Sequence, residues 1–284
     1  MMSRNYRTVV AGLPALALTL VGVAACTVVP SVWPMAGPRT PAGRFDQTPV
    51  PVSAKDFKRP PAGYLTPGDG PDGLAILGPP PAMNSKEGKA DKARFEATRA
   101  MAGSARWVRA QRDAELSGGE AWKSYGCAAG VRIGPDTTPV LARLMLRVEG
   151  DAFPVFDPVK DRYSRRRPPI GNNKPICVPR EPWMETSGSY PSGHSAIGWS
   201  WGLILAELVP DRAGQLVARG RDFGESRVIC GVHWESDVVA GRELGSALVA
   251  RLHADAGFMA DLAKARDEIA ATKKLGPPAS CPVS

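Results

Sequence analysis

A chain of 284 residues with 43% hydrophobic and 23% charged content can bury one sizeable core, or two small ones, which excludes a wholly disordered polymer and points to a globular domain. The formal net charge of +8 favours anionic partners, whether phosphate esters, nucleic acid or a membrane surface, without choosing among them.

In chain order, Arg4 and Arg7 precede an apolar stretch from Val9 to Ala25 that ends in the small residues Val23-Ala24-Ala25 before Cys26. The stretch is short and contains Pro14, so residues 1–25 read as a cleaved export signal rather than a retained transmembrane anchor. Val23-Ala24-Ala25-Cys26 also resembles the bacterial lipobox, in which the cysteine becomes the lipidated first residue of the mature protein. Lipid at Cys26 would attach the chain to a membrane, and the expected location is the periplasm, anchored to the outer membrane. Ordinary signal cleavage is the alternative and would leave an odd cysteine. With Cys26 set aside, Cys127, Cys177, Cys230 and Cys281 form an even set suited to disulfides in an oxidising compartment, with the pairing left open.

Residues 26–76 are rich in Pro and Gly without a sustained apolar period, and read as a tether leading to a folded domain over residues 77–284. Beyond Pro81 the chain reads as helix after helix. The first runs from Lys89 to Leu116, with Phe95, Met101, Ala105, Val108 and Ala114 at apolar positions, and Ser117-Gly118-Gly119 ends it. Thr138-Pro139 opens a helix over Val140–Glu149 with Leu141, Leu144, Met145 and Val148 on one side. Ser192 or Ser195 starts another to about Leu208, closed by Pro210, and Asp211 caps the next through Gly224. Val238–His253 and Gly257–Lys274 follow, the latter with Phe258, Leu262, Ala265 and Ile269 inward. The expected fold class is all-α, a helical bundle. No apolar run after the signal reaches membrane-spanning length, because Ala196–Val209 is short and contains Glu207.

Three segments carry chemistry: KDRYSRRRP at 160–168, SYPSGH at 189–194 and SRVICGVHWESD at 226–237. Placed on one helix face at i and i+4, Asp237 could hold one nitrogen of His233 and leave the other lone pair free to attack phosphorus. A structural His–Asp pair would have the same spacing. Lys160, Arg167 and Arg227 offer fixed cationic donors for the oxygens of a phosphoryl group. Arg162, Arg165 and Arg166 read as a solvated basic loop, since no spacing rule distinguishes them. Ser192-Gly193-His194 falls where a loop enters a helix and free backbone N–H groups favour anions. Gly193 lets the backbone approach, Ser192 can donate to a phosphate oxygen or simply cap the helix, and a protonated His194 can serve the leaving group. His253, in ARLHADAG, reads as a packing or helix-end residue.

Together the segments match the signature Lys-x6-Arg-Pro, Pro-Ser-Gly-His and Ser-Arg-x5-His-x3-Asp. The chain resembles the class A bacterial non-specific acid phosphatases, within the superfamily of type-2 phosphatidic acid phosphatases and vanadium haloperoxidases. LGPPPA, ARWVRAQRDAELSGG, GSYPSGHSAIGW and RGRDFGESRVICGVHWESDV extend the likeness from about Leu77 to the C-terminal helices. The resemblance implies broad hydrolysis of small phosphate monoesters with an acidic optimum, through phosphohistidine at His233 with His194 as acid and Asp237 as orienting carboxylate. It also makes a homodimer reasonable, and places Glu149 near the site, although a solvated helix-end carboxylate fits that residue equally. No metal or other cofactor is expected, because the cationic cage carries the charge that a metal pair would otherwise neutralise. No reader motif for nucleic acid accompanies the basic run. The rival readings are a vanadium-dependent haloperoxidase, a membrane lipid-phosphate phosphatase, and a non-catalytic anion-binding surface lipoprotein.

Overall fold

The computed structural model describes residues 60–116, 119–279 and 281. The expected export signal, Cys26 and the tether up to residue 59 lie outside the described residues. The described chain folds into helices α1 (Gly73–Ile76), α2 (Lys86–Arg99), α3 (Ala105–Arg112), α4 (Gly119–Ala129), α5 (Pro139–Tyr163), α6 (Trp183–Thr186), α7 (Gly193–Leu208), α8 (Ala213–Cys230), α9 (Glu235–Leu252) and α10 (Ala256–Thr272). Among the described residues there is no β-strand, so the fold is all-α as expected, and no helix is long and apolar enough to cross a membrane.

The core is built around α7, which packs against α8, α9 and α5. Ile197, Ile204 and Leu205 are fully buried there, each contributing about 1.5–3 kcal/mol of hydrophobic stabilisation. Trp201 fills the centre and donates its indole N–H to the Met145 carbonyl of α5 at 2.8 Å. Contact with α8 depends on paired glycines: a Cβ on Gly202 would lie 3.0 Å from Gly220 Cα, so the two backbones nearly touch. That close seam, together with a hydrogen bond from Ser192 N to the Asp237 carbonyl at 2.9 Å, sets the start of α7 beside the start of α9.

Several helix limits differ from expectation. The stretch from Lys89 to Leu116 is two helices, because Gly103 takes a φ of 78° and Ser104 caps α3 by accepting from Trp107 N at 3.2 Å. Helix α5 continues past Glu149 to Tyr163 through Pro154 and Pro158, with Val155, Phe156 and Val159 buried and holding the turns that those prolines weaken. Thr138 makes no side-chain cap for α5; instead Glu268 of α10 accepts from Val140 N and Leu141 N at 2.9 and 3.0 Å. Helix α8 begins at Ala213 after a 3-10 turn over Pro210–Arg212 and runs to Cys230, while Asp211 pairs with Lys273.

Residues 60–76, read as tether from composition, pack on this core. Tyr64 is buried; its N–H and that of Leu65 both donate to Asp151, and its hydroxyl donates to Asp261 at 3.0 Å. Arg147 stacks on the Tyr64 ring at 3.6 Å and donates to the Gly63 carbonyl. Two disulfides, Cys127–Cys281 and Cys177–Cys230, choose among the open pairings.

Candidate active site

The site forms where the loop after α5, the start of α7 and the α8–α9 turn converge. Ser192 caps α7, its hydroxyl accepting from Ser195 N at 3.3 Å. Gly193 starts the helix against Phe156; a Cβ there would sit 2.7 Å from the Phe156 ring, so this position admits only glycine without displacement of the ring. The next residue, His194, is partly exposed, and its Nε2 lies 2.9 Å from the Ala114 carbonyl. A carbonyl accepts only, so Nε2 carries the proton and Nδ1 remains for other chemistry.

His233 and Asp237 do meet, but not as two residues of one helix. His233 precedes α9, and Asp237 in the first turn accepts from Trp234 N at 2.8 Å, half of a capping box, while its Oδ2 also receives His233 Nδ1 at a long 3.4 Å. His233 Nε2 then faces Arg167 Nη1 at 3.1 Å. Burial lowers His233 well below the usual histidine value, assisted by the cations of Arg167, Lys160 and Arg227. Burial likewise lowers His194, with Arg227 next in weight and the Ala114 carbonyl opposing. Asp237 is fully buried and pushed up to about 6 by that burial, against the pull of Arg165 and the Trp234 N–H.

Lys160, on the last turns of α5, donates to the carbonyls of Gly188 and Pro191 at 3.0 and 2.6 Å, tying the loop that leads into α7. Burial, then Arg167, lower it to about 7. Arg167 donates to the Ser187, Gly188 and Val232 carbonyls, and burial lowers it to about 10. Arg227 differs. It is 3% exposed, its Nε and Nη1 have no hydrogen-bond partner among the described residues, and burial and Arg167 lower it to about 9.

The expected site residues are thus gathered in one place. Arg162 and Arg166 are exposed, as their reading as a solvated loop requires, but Arg165 is not. It is buried between Asp91 and Asp237, because beyond the left-handed Ser164, where α5 has ended, residues 165 and 167 are turned inward and 166 outward. Three identical residues in a row carry no sequence signal for that alternation. Asp91 and the Ala114 carbonyl had none, since both lie far from the motifs in sequence. Glu149 is buried in the middle of α5 and is not a solvated helix end. His253 caps α9 with Nε2 2.8 Å from Glu207, away from the cluster, as a helix-end residue should.

Geometry and charge gather three buried cationic side chains, Lys160, Arg167 and Arg227, and a buried imidazole–carboxylate pair at one place among the helices. A sequence profile of the PAP2 superfamily matches residues 150–257. An acid phosphatase from Zymomonas mobilis subsp. mobilis is 42% identical over 199 residues, covering 70% of this chain and 75% of that protein. A non-specific acid phosphatase from Providencia stuartii is 37% identical over 213 residues, 74% of this chain and 86% of the relative. The crystal structure of a transmembrane PAP2-type phosphatidylglycerolphosphate phosphatase from Bacillus subtilis aligns with a TM-score of 0.41 at 20% identity, over 63% of this chain and 89% of that one. The chain belongs to the PAP2 superfamily and is homologous to its bacterial non-specific acid phosphatases.

Proposed function

We propose that the protein hydrolyses small phosphate monoesters of broad leaving-group type through a covalent phosphohistidine at His233. The observation that carries this reading is the Arg227 guanidinium, buried with Nε and Nη1 unpartnered among the described residues and close to Arg167 and both histidines, a concentration of positive charge that suits an anion. Asp237 holds the Nδ1–H of His233, so the Nε2 lone pair attacks phosphorus as the ester P–O bond breaks. Arg167, Arg227, Lys160, Ser192 and the N–H groups opening α7 hold the oxygens as charge passes between attacking and leaving atoms. His194 gives its Nδ1 proton to the departing oxygen. It then takes one from the water that breaks the P–N bond and releases orthophosphate. Entry of a phosphate dianion opposes the repulsion that lowers His194, so the ester itself promotes protonation of its acid catalyst.

The working location is an oxidising compartment outside the cytoplasm. The disulfides support it, and the sequence of the leader adds the periplasm, with lipid at Cys26 as the tie to the outer membrane. A homodimer remains the expected assembly.

The test is hydrolysis of p-nitrophenyl phosphate from acid to neutral pH with EDTA present, beside His233→Ala. Turnover resistant to the chelator and reduced at least about 10³-fold in the variant is the expected result, with an acid-labile phosphoryl label on wild type after rapid quenching. Activity surviving in His233→Ala, or vanadate-dependent halide oxidation in place of ester hydrolysis, would overturn the reading.

A further inference from the structure

Arg165 is 7% exposed and stands between two buried carboxylates from different parts of the chain. Its Nη1 donates to Asp237 Oδ1 at 2.6 Å and to Ser236 Oγ at 2.7 Å, and its Nη2 donates to Asp91 Oδ2 at 2.8 Å. Asp91, on α2, closes the ring by accepting from Ser236 N at 2.9 Å and from the Ser236 hydroxyl at 2.5 Å. Asp91 therefore grips the same first turn of α9 that carries Asp237, and grips it from outside residues 150–257 and outside all three motif segments. The two oxygens of Asp237 are divided between tasks: one faces Arg165, the other the Trp234 N–H and His233 Nδ1. Whatever moves or discharges the first oxygen acts on the second.

We propose that Asp91 and Arg165 are positioning residues for the reaction, fixing the direction and charge of the Asp237 carboxylate that holds His233. The inference rests on the reading of His233 as nucleophile. One guanidinium serves two buried carboxylates, so its loss leaves both without their cation, whereas loss of Asp91 leaves Arg165 paired with Asp237 alone. Asp237 also faces Lys160, Arg167, Tyr190 and His233, which stay constant when the ring is altered. Removing the Arg165 cation makes Asp237 and His233 easier to protonate, so the acid limb of the pH profile moves up. Neutralising Asp91 removes an anion and leaves Arg165 wholly to Asp237, so both groups become harder to protonate and the limb moves down.

The experiment measures kcat and KM for p-nitrophenyl phosphate from about pH 4 to about pH 8 in wild type, Asp91→Asn, Arg165→Met, Arg165→Lys and His233→Ala. Arg165→Met should lose about 10- to 100-fold in kcat with KM little changed, in the range seen when an outer partner of a functional side chain is removed. Its acid limb should rise by about one pH unit, that of Asp91→Asn should fall by a similar amount, and Arg165→Lys should keep the wild-type limb at reduced kcat. Should Arg165→Met fail to fold, Asp91→Asn decides by the same criterion, with Arg165→Lys as the charge-conserving control. Unmoved limbs in Asp91→Asn and in any folded Arg165→Met, whether kcat falls or not, would show a brace for the fold alone and overturn the inference, provided wild type turns over and His233→Ala does not. A wild type without turnover would sink the phosphatase reading, and this inference with it.

Discussion

Helix α8 carries two buried arginines that the fold treats in opposite ways. Arg219, 8% exposed, pairs both terminal nitrogens with the Asp113 carboxylate and donates Nε to Ser124 at 3.0 Å. Burial alone would lower it, yet Asp113, Tyr125 and Asp222 together outweigh burial and the group is held above its ordinary value. Arg227 is more deeply buried, leaves its Nε and Nη1 without a hydrogen-bond partner among the described residues, and is lowered to about 9 by burial and Arg167. One guanidinium has its desolvation offset within the chain; on the function proposed above, the other is left for a ligand to offset. On that reading the same residue type on the same helix is a strut at one end and a receptor at the other, and only the partners tell them apart.

The difference can be broken most severely at Arg219. Arg219→Met strands the buried Asp113 and should cost about 3–5 kcal/mol of stability by denaturant unfolding. A loss near zero would mean that the pair is not the strut described. At Arg227 the expectation inverts: Arg227→Met should reduce kcat/KM about 10²- to 10³-fold while the melting temperature stays level or rises. A fall in melting temperature matching that of Arg219→Met would reveal structural duty at Arg227. The subtlest test is proton uptake when inorganic phosphate binds, read by calorimetry in buffers of differing ionisation heat. Lys160 is lowered to about 7 by burial and by Arg167, and the histidines are lowered by burial and the same cations. An entering anion raises all three, so binding at about pH 7 should take up a fraction of a proton and weaken as pH rises. Binding without proton exchange would mean that the cations are already compensated.

Legibility in the sequence followed the range over which each residue acts. Helix α7 was readable because its cap, apolar length and closing proline are all local, and the motif positions because their spacing is fixed within short segments. The long α5 was cut short at Glu149 because Pro154 and Pro158 are breakers by local rule, while Val155, Phe156 and Val159 override them only once packed. Arg165 was lost in a run of three arginines, where composition suggests solvent and only the folded path of the chain separates inward from outward. Residues 60–76 looked like tether for the same reason: Tyr64 is one aromatic among prolines, and its place depends on Asp151 and Asp261, far along the chain.

The disulfide between Cys127 and Cys281, 154 positions apart, makes a covalent ring that contains Lys160, Arg167, His194, Arg227, His233 and Asp237. Such a large ring removes about 5 kcal/mol of chain entropy from the unfolded state on the loop-closure account. Within it the Cys177–Cys230 link closes a smaller ring around the start of α7. A protease that severs any one peptide bond between Cys127 and Cys281 converts the ring into two arms still joined through sulfur, so a single cut nicks the domain without releasing a piece of it.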